Sequence, residues 1–245
     1  MGVRAYGAHA LVLKKPNLKM IIQGLQKLTI LDFPGQVACI VFTAGCSFRC
    51  PFCHNATLVK GEGENISEEE VLAYLKKRQG ILDGVVITGG EPTIQKDLKE
   101  FIKKIKTLGY KVKLDTNGYH PERLKELLDE GLLDYVAMDI KNSKEKYACT
   151  TGLQNIDIAR IEQSVELIKN GNVPYEFRTT TMAEYHETQD FVAIEKWVSG
   201  AKKFFIQSFK DSGDILCGSF TPLNEQKMEE FQQILAVSVG EVKTR

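Results

Sequence analysis

Short apolar runs alternate with amphipathic stretches along most of the chain, and this alternation predicts its secondary structure. Several of the short runs are apolar at nearly every position, which is typical of strands covered on both faces. The sequence therefore predicts six strands, at Val37–Phe42, Gly84–Thr88, Lys111–Asp115, Tyr135–Ile140, Tyr175–Thr180 and Lys203–Phe209.

Helices are predicted between these strands, because apolar residues recur there at helical spacing. The longest stripe follows the second strand and forms one apolar face; it consists of Ile94, Leu98, Phe101, Ile102, Ile105 and Leu108. Ser67 with Glu70 is a capping-box pattern, which predicts a helix start ahead of Val71. The same spacing predicts helices around Ile161 and Phe231.

The repetition of strand and helix predicts the fold class. Such repetition is typical of parallel strands joined by right-handed crossovers. Six units are fewer than the eight of a complete barrel, so we expect an α/β fold with a partial (β/α)6 barrel, a doubly wound sheet being the alternative. No repeat or linker divides the chain, so residues 20–245 are predicted to be a single domain. Residues 1–19 are expected to be an N-terminal extension, either disordered or not native.

Composition and charge exclude several classes of partner. The 245 residues carry 32 Lys plus Arg and 32 Asp plus Glu, so the formal net charge is zero. This balance lacks the basic footprint of a nucleic-acid-binding protein, and we expect no nucleic-acid partner. No apolar run approaches the roughly 18 residues of a membrane span, and Ala10–Leu13 is too short for a signal-peptide core. We therefore expect a cytoplasmic protein without a membrane partner, whose thiols stay reduced.

The residues that follow the predicted strands are the candidates for a functional site. In both candidate geometries, the ligand site lies beyond the carboxyl ends of the strands. The sequence places polar or metal-binding groups after all six strands: "TAGCSFRCPFCHN" (43–55), "TGGEP" (88–92), "DTNG" (115–118), "MDIK" (138–141), Arg178, and Gln207 with Ser208. These groups are expected to share one rim.

Three cysteines in the first of these segments point to a metal centre. Cys46, Cys50 and Cys53 have the spacing C-x3-C-x2-C, and a reducing compartment disfavours a disulfide framework. A zinc ion would need a fourth ligand, but His54 adjoins Cys53, and adjacent residues rarely reach one tetrahedral ion together. Three thiolates on one short loop suit three irons of a cubane cluster whose fourth iron stays open.

The other three cysteines give no pattern of their own. Cys39 lies within the first predicted strand, where a small buried thiol is expected. Cys149 and Cys217 stand alone in the sequence and are interpreted as structural or incidental. No second C-x2-C pair is available to complete a zinc site.

The segments "GCSFRCPFCHN", "TGGEP", "LDTNG" and "MDIK" together resemble the radical S-adenosylmethionine enzymes, and within them the activases of glycyl-radical enzymes. The leading stretch "GLQKLTILDFPGQVACIVFTAGC" resembles the activating proteins of anaerobic ribonucleoside-triphosphate reductase, of the pyruvate formate-lyase activase type. The resemblance covers roughly residues 22–210.

The resemblance implies one [4Fe–4S] cluster on Cys46, Cys50 and Cys53, with S-adenosylmethionine on the open iron. Reductive cleavage of S-adenosylmethionine gives methionine and a 5′-deoxyadenosyl radical, so the cofactor carries the hard chemistry. The remaining cofactor contacts implied by the resemblance are Gly89, Gly90 and Glu91 at the amino group, Phe52 at the adenine, and Arg178 at the ribose or carboxylate.

A monovalent cation near the cofactor carboxylate is also implied by the resemblance. Its expected ligands are Asp115, Thr116 and Asp139, and Lys141 is expected in the same site. A buried pair of carboxylates needs positive charge nearby, which makes such an arrangement reasonable.

The partner implied by the resemblance is a protein. The radical is expected to act on a glycine of anaerobic ribonucleotide reductase, and a flavodoxin or ferredoxin-type protein is expected to be the reductant. Residues 54–88 contain no cysteine, so a single cluster is expected. The alternatives are an activase of pyruvate formate-lyase or of another glycyl-radical enzyme, a radical enzyme with a small-molecule substrate, and a non-catalytic zinc or iron–sulfur module.

Overall fold

Eight strands form one sheet that runs through the whole described part of the chain. The computed structural model describes residues 20–245, so the expected extension at 1–19 lies outside the described residues. The strands are β1 Ile22–Thr29, β2 Ala38–Thr43, β3 Gly84–Gly89, β4 Lys111–Thr116, β5 Tyr135–Asp139, β6 Tyr175–Thr181, β7 Lys203–Ser208 and β8 Glu241–Thr244.

Eight α-helices and one 3-10 turn occupy the connections within residues 20–245. The helices are α1 Ala56–Lys60, α2 Glu68–Lys76, α3 Leu98–Thr107, α4 Pro121–Asp129, α5 Tyr147–Thr151, α6 Ile158–Lys169, α7 Thr188–Val198 and α8 Glu225–Leu235, and the 3-10 turn is Pro92–Ile94. Ser67 caps α2 as predicted, since its side chain accepts a hydrogen bond from the Glu70 amide. None of the described helices is long and apolar enough to cross a membrane.

The order of the strands is their order in the sequence, and this order explains the shape of the sheet. Strands β2 to β8 are parallel, β1 is antiparallel to β2, and the sheet order β1 to β8 leaves β1 and β8 unpaired with each other. Every right-handed crossover therefore advances in one direction and places its helix on the same face of the sheet. The sheet is an open, partial barrel, which confirms the predicted fold class over the doubly wound alternative.

All six predicted strands are present, and the sheet has one further strand at each edge. Strand β1 is partly exposed, and β8 is a four-residue strand with two exposed residues, so neither has the continuous apolar run of a covered strand. The predicted helical stripe is also right from Leu98 onward, whereas Ile94 belongs to the 3-10 turn ahead of α3.

The two faces of the sheet differ in composition. The face toward the helices carries the main core, with Val112, Leu114, Val136 and Phe177 fully or almost fully buried. The opposite face lines the inside of the partial barrel and holds a small apolar cluster near its base, formed by Phe33, Ala38, Ile40, Val86 and Tyr135. Nearer the carboxyl ends of the strands, this inner face becomes charged, and the candidate site lies there.

Candidate active site at the strand ends

A cavity of about 360 Å³ opens at the carboxyl ends of the strands. Its lining contains most of the candidate residues: Cys46, Cys50, Phe52, Cys53, Gly89, Gly90, Glu91, Asp115, Thr116, Asp139, Lys141, Arg178 and Gln207. Ser208 is absent from this lining, and its amide donates to the carbonyl of Arg245 instead. The predicted convergence of six strand ends on one rim is therefore what the structure shows, with Ser208 outside it.

The cysteine loop between β2 and α1 is held by hydrogen bonds from its own backbone and from Arg49. The Cys53 amide donates to the Cys50 carbonyl at 3.0 Å, which folds the last two cysteines into one turn. Arg49 Nη1 donates to the carbonyls of Cys46 and Phe48, both at 2.7 Å. All three cysteines are free thiols, so the loop presents them without a disulfide.

A distant segment, Phe209–Leu223, crosses the same loop from the other side. The amides of Leu216 and Cys217 donate to the carbonyls of Cys53 and Pro51, both at 3.1 Å. Ser212 Oγ donates to the His54 carbonyl at 3.2 Å. The cysteine loop is thus braced by a segment more than 150 residues later in the chain.

Two of the three thiols have raised pKa values, so they carry protons that a metal centre would displace. Burial and the Glu91 carboxylate raise the pKa of Cys46 to about 12, and burial raises the pKa of Cys50 to about 11 although Lys141 acts in the opposite direction. Cluster assembly would therefore release these protons. Within residues 20–245, no group of three or more His, Cys, Asp or Glu is placed to hold one metal ion, so the zinc alternative gains no support.

Two glycines at the end of β3, Gly89 and Gly90, let the "TGGEP" turn lie directly against the cysteine loop. A Cβ on Gly89, whose φ is +120°, would meet the Thr43 carbonyl oxygen at 2.3 Å, and one on Gly90 would meet the Gly45 oxygen at 1.9 Å. The Gly90 and Glu91 amides donate to the carbonyls of Thr43 and Gly45, at 2.9 and 2.8 Å. The contact these glycines permit is between two protein loops, which sequence reasoning did not foresee.

Glu91 is a buried carboxylate that has hydrogen-bond donors but no cationic partner. It is 1% exposed and accepts from the Asn117 amide at 2.6 Å, from Thr116 Oγ1 at 2.8 Å, and from the amide and hydroxyl of Thr93. Burial raises its pKa, and these hydrogen bonds oppose that rise. Because no ion pair reaches Glu91 within residues 20–245 and it lines the cavity, a ligand cation there would find a carboxylate ready to receive it.

Asp115 and Asp139 are the opposite case, because each is already paired with two cations. Arg178 bridges them, with Nη1 at 3.2 Å from Asp115 Oδ2 and Nε at 3.0 Å from Asp139 Oδ1. Lys141 Nζ lies 3.1 Å from Asp139 Oδ2, and Lys113 pairs with Asp115 Oδ1. Burial would raise the pKa of Asp139, but Arg178 and Lys141 hold it below its usual range.

The ion pairs of Lys113, Asp115, Arg178, Asp139 and Lys141 form a continuous ion-pair chain. The Thr116 hydroxyl faces away from it. This hydroxyl donates to Glu91 and accepts from the Gly118 amide at 3.1 Å. The two Asp carboxylates expected to bind a monovalent cation are therefore fully paired with protein cations, and the hydroxyl of the third expected ligand is turned to Glu91. These residues, as arranged, do not fit an additional inorganic cation.

Phe52 lies in an aromatic cluster beside the cysteine loop. The ring is 4% exposed and contacts Tyr185 and Phe220, with centroids 5.8 and 6.1 Å away. These contacts hold the loop, while the adenine contact remains a prediction. His54 lines the cavity as well.

Sequence reasoning missed two residues at the site. Asn117 has no role of its own in the sequence analysis, yet its Nδ2 lies 3.7 Å from Cys46 Sγ and 3.2 Å from Ser47 Oγ. Lys113 falls within the predicted strand 111–115 and was given no role, although strand alternation puts it on the same face as Asp115. That i, i+2 pairing of opposite charges was the available signal.

Comparison with known proteins agrees with the geometry. The family model described as the radical SAM superfamily matches residues 40–198. A Methanocaldococcus jannaschii protein, whose name assigns it provisionally to the glycyl-radical enzyme activating enzymes, is 32% identical over 235 residues, which are 93% of this chain and 97% of that protein. The pyruvate formate-lyase-activating enzyme of Clostridium pasteurianum is 33% identical over 138 residues, covering 54% of this chain and 57% of that enzyme.

A solved structure agrees on the fold. Streptococcus suis SuiB bound to its precursor peptide SuiA superposes with a TM-score of 0.66 at 12% identity, covering 83% of this chain and 48% of that one. Membership of the family implies a [4Fe–4S] cluster and S-adenosylmethionine, for which the three free thiols on one braced loop and the adjoining cavity are suited. The matched family model and the near full-length relative together show that this chain belongs to the radical SAM superfamily and is a radical SAM enzyme.

Proposed function

We propose that this enzyme is an activase that generates a glycyl radical on another protein, the anaerobic ribonucleoside-triphosphate reductase. When bound, the cluster and S-adenosylmethionine supply a 5′-deoxyadenosyl radical, which takes a hydrogen atom from a glycine Cα of the partner. The observation that carries the proposal is the similarity to the M. jannaschii protein along 97% of its length, since that protein is named for this class of activity.

The cavity supports binding of an amino-acid group such as the methionine part of S-adenosylmethionine. Glu91 offers a carboxylate without a cationic partner to the amino group, and Gly89 and Gly90 keep the backbone beside the cysteine loop. On the other side of the cavity, Arg178 and Lys141 offer positive charge to the carboxylate. We propose these residues, with Phe52 at the adenine, as the cofactor contacts.

The open barrel and the single cysteine loop support a protein substrate. Strands β1 and β8 are unpaired with each other, so the inner face is accessible from one side of the barrel as well as from the strand ends. A loop of a partner protein could enter there without the barrel opening. Residues 54–88 carry no cysteine, which supports a single cluster, with the electron supplied by a flavodoxin or ferredoxin-type protein.

The activity and the identity of the partner are tested in two steps. Anaerobically reconstituted protein should bind about four irons and four sulfides and release 5′-deoxyadenosine from S-adenosylmethionine when reduced. It should then be incubated separately with anaerobic ribonucleotide reductase and with pyruvate formate-lyase, and the glycyl doublet recorded by electron paramagnetic resonance. The Cys50→Ala protein is the matched control and should give no doublet.

The two steps fail in different ways. Zinc without iron and no 5′-deoxyadenosine would overturn the radical chemistry itself. A doublet on pyruvate formate-lyase alone would keep the activase and overturn the choice of reductase. Cleavage of S-adenosylmethionine without a doublet on either protein would overturn both choices of partner and favour a small-molecule substrate.

A further inference from the structure

Lys113 is a buried lysine on the inner face of the sheet, and neither the cluster nor the proposed cofactor contacts require it. Its side chain is 2% exposed. Its register neighbours on β3 and β5 are Val86 and Tyr135, which belong to the small apolar cluster. An ammonium in such surroundings is costly unless it is paired, and the partner the structure provides is Asp115.

The ion-pair chain that begins at Lys113 has one more positive than negative charge. It runs Lys113–Asp115–Arg178–Asp139–Lys141, with three cations and two carboxylates. Each of the four carboxylate oxygens accepts a hydrogen bond from a cation, and Arg178 serves one oxygen of each carboxylate. The last four of these five residues line the cavity and balance one another, so the surplus charge of +1 is that of Lys113, which lies behind Asp115.

Without Lys113, the count would be balanced and one oxygen would be left free. Arg178 and Lys141 would then neutralise the two carboxylates, and Asp115 Oδ1 would have no cationic partner. That oxygen would be a ligand for a cation from solution, because a buried carboxylate oxygen without a partner attracts positive charge. The ammonium of Lys113 occupies this position from within the chain.

We propose that Lys113 supplies the positive charge that a bound monovalent cation would otherwise supply, so that the site binds the singly charged carboxylate of S-adenosylmethionine without such a cation. The part of this inference that concerns the carboxylate of S-adenosylmethionine rests on the proposed function. The pairing of Lys113 with Asp115 does not. Lys113 is a positioning residue, acting through Asp115 and Arg178.

The test compares wild type, Lys113→Ala and Lys111→Ala in potassium chloride and in choline chloride at equal ionic strength. Lys111 is the matched control, because it is a lysine on the same strand and the same face but is exposed and bonded to Gln36. Binding of S-adenosylmethionine to reconstituted protein is measured by equilibrium dialysis. The thermal midpoint of the cluster-free protein is measured in parallel and requires neither cofactor.

We expect wild type and Lys111→Ala to behave alike in the two salts. Lys113→Ala should bind S-adenosylmethionine about tenfold or more weakly in choline chloride, a conservative figure for losing one partner of a buried charge pair, and potassium should restore much of the binding. Potassium should also raise the thermal midpoint of cluster-free Lys113→Ala by about 2–4 °C.

Three results would overturn the proposal. The first is a requirement of the wild type for potassium or sodium, which is measurable even if Lys113→Ala does not fold. The second is wild-type affinity of Lys113→Ala in choline chloride. The third is a loss of affinity that potassium does not restore, which would leave Lys113 as a structural residue. Failure of all proteins to bind S-adenosylmethionine would instead count against the proposed function, and the cluster-free midpoints would still decide this inference.

Discussion

The two sides of the cavity carry buried carboxylates that differ in their partners: hydrogen-bond donors without charge on one side, and cations on the other. On one side, Glu91 is held by four hydrogen-bond donors and has no cationic partner within residues 20–245. On the other side, Asp115 and Asp139 have a cation on every oxygen and leave a charge of +1. One side can receive a positive group and the other a negative group, which is the charge pattern of an amino-acid zwitterion.

This comparison also shows what each side does for the fold. Hydrogen bonds alone keep Glu91 in place, so its charge is available to a ligand but costs stability through burial. In the ion-pair chain, most of the charges neutralise one another, and the pairs of Arg178 connect β4, β5 and β6. A change at Glu91 is thus expected to affect ligand binding more than the stability of the fold, which we call the separable side. A change at Arg178 is expected to affect both, which we call the coupled side.

The largest effect is expected from Cys50→Ala, which removes the centre between the two sides. Cleavage of S-adenosylmethionine should be abolished, because a cluster held by two thiolates is not expected to persist. Iron content and 5′-deoxyadenosine formation provide the measurement. Cys149→Ala, a change at an exposed cysteine outside the cavity lining, is the control and should keep both. Cleavage by Cys50→Ala would contradict the ligand assignment.

Arg178→Met tests the coupled side. It leaves both Asp115 and Asp139 short of a partner in a buried site, and breaking such a pair costs about 3–5 kcal/mol. The free energy of unfolding from urea titration of the cluster-free protein measures this. Lys125→Met, which removes an exposed i,i+4 pair with Asp129, should cost about 0–1 kcal/mol. Equal costs for the two variants would show that the ion-pair chain does not stabilise the sheet.

Glu91→Gln tests the separable side. The carboxylate charge is lost at nearly constant shape, so the affinity for S-adenosylmethionine should fall by about 2–3 kcal/mol, or some thirty- to over a hundredfold. The free energy of unfolding should change less than in Arg178→Met, since the hydrogen bond from the Asn117 amide is lost but no cation loses its partner. Equilibrium dialysis and urea titration on the same preparation give both numbers. Unchanged affinity would exclude Glu91 as the contact for the amino group.

Acid should affect the two sides in opposite directions, which is the smallest expected effect. The pKa of Asp139 is lowered, so its contribution is present above its unfolded value and is lost as the pH falls below about 4. The pKa of Glu91 is raised, so its protonation stabilises the fold as the pH falls through the folded value. Between pH 7 and 4, cluster-free wild type should therefore gain stability relative to Glu91→Gln in urea titrations. A constant difference would contradict the raised pKa.

The strands that carry the site could be predicted from the sequence because they are covered on both faces. Runs such as Val37–Phe42 and Tyr135–Ile140 are continuous in apolar character, and their ends locate the rim. The edge strands β1 and β8 could not be found this way, because partial exposure removes that signal. Strand order and openness required the structure, since they depend on pairing between distant segments.

The identity of the site residues was more predictable than their interactions. The rim residues converge as expected, but the sequence does not show that Arg178 spans two carboxylates or that Thr116 turns to Glu91. Lys113 was overlooked because Lys111 and Lys113 alternate with Val112 and Leu114, which is the pattern of a strand with one face in solvent. Its burial follows from the curvature of the sheet, which composition does not reveal.

The brace formed by Phe209–Leu223 links the durability of the metal site to a segment far from it in sequence. It contacts the cysteine loop through the backbone amides of Leu216 and Cys217 and the hydroxyl of Ser212. A single protease cut in this segment would leave all three cysteines in place and still uncover their loop. Protection of the cysteine loop from solvent would then depend on an irregular stretch more than 150 residues later in the chain.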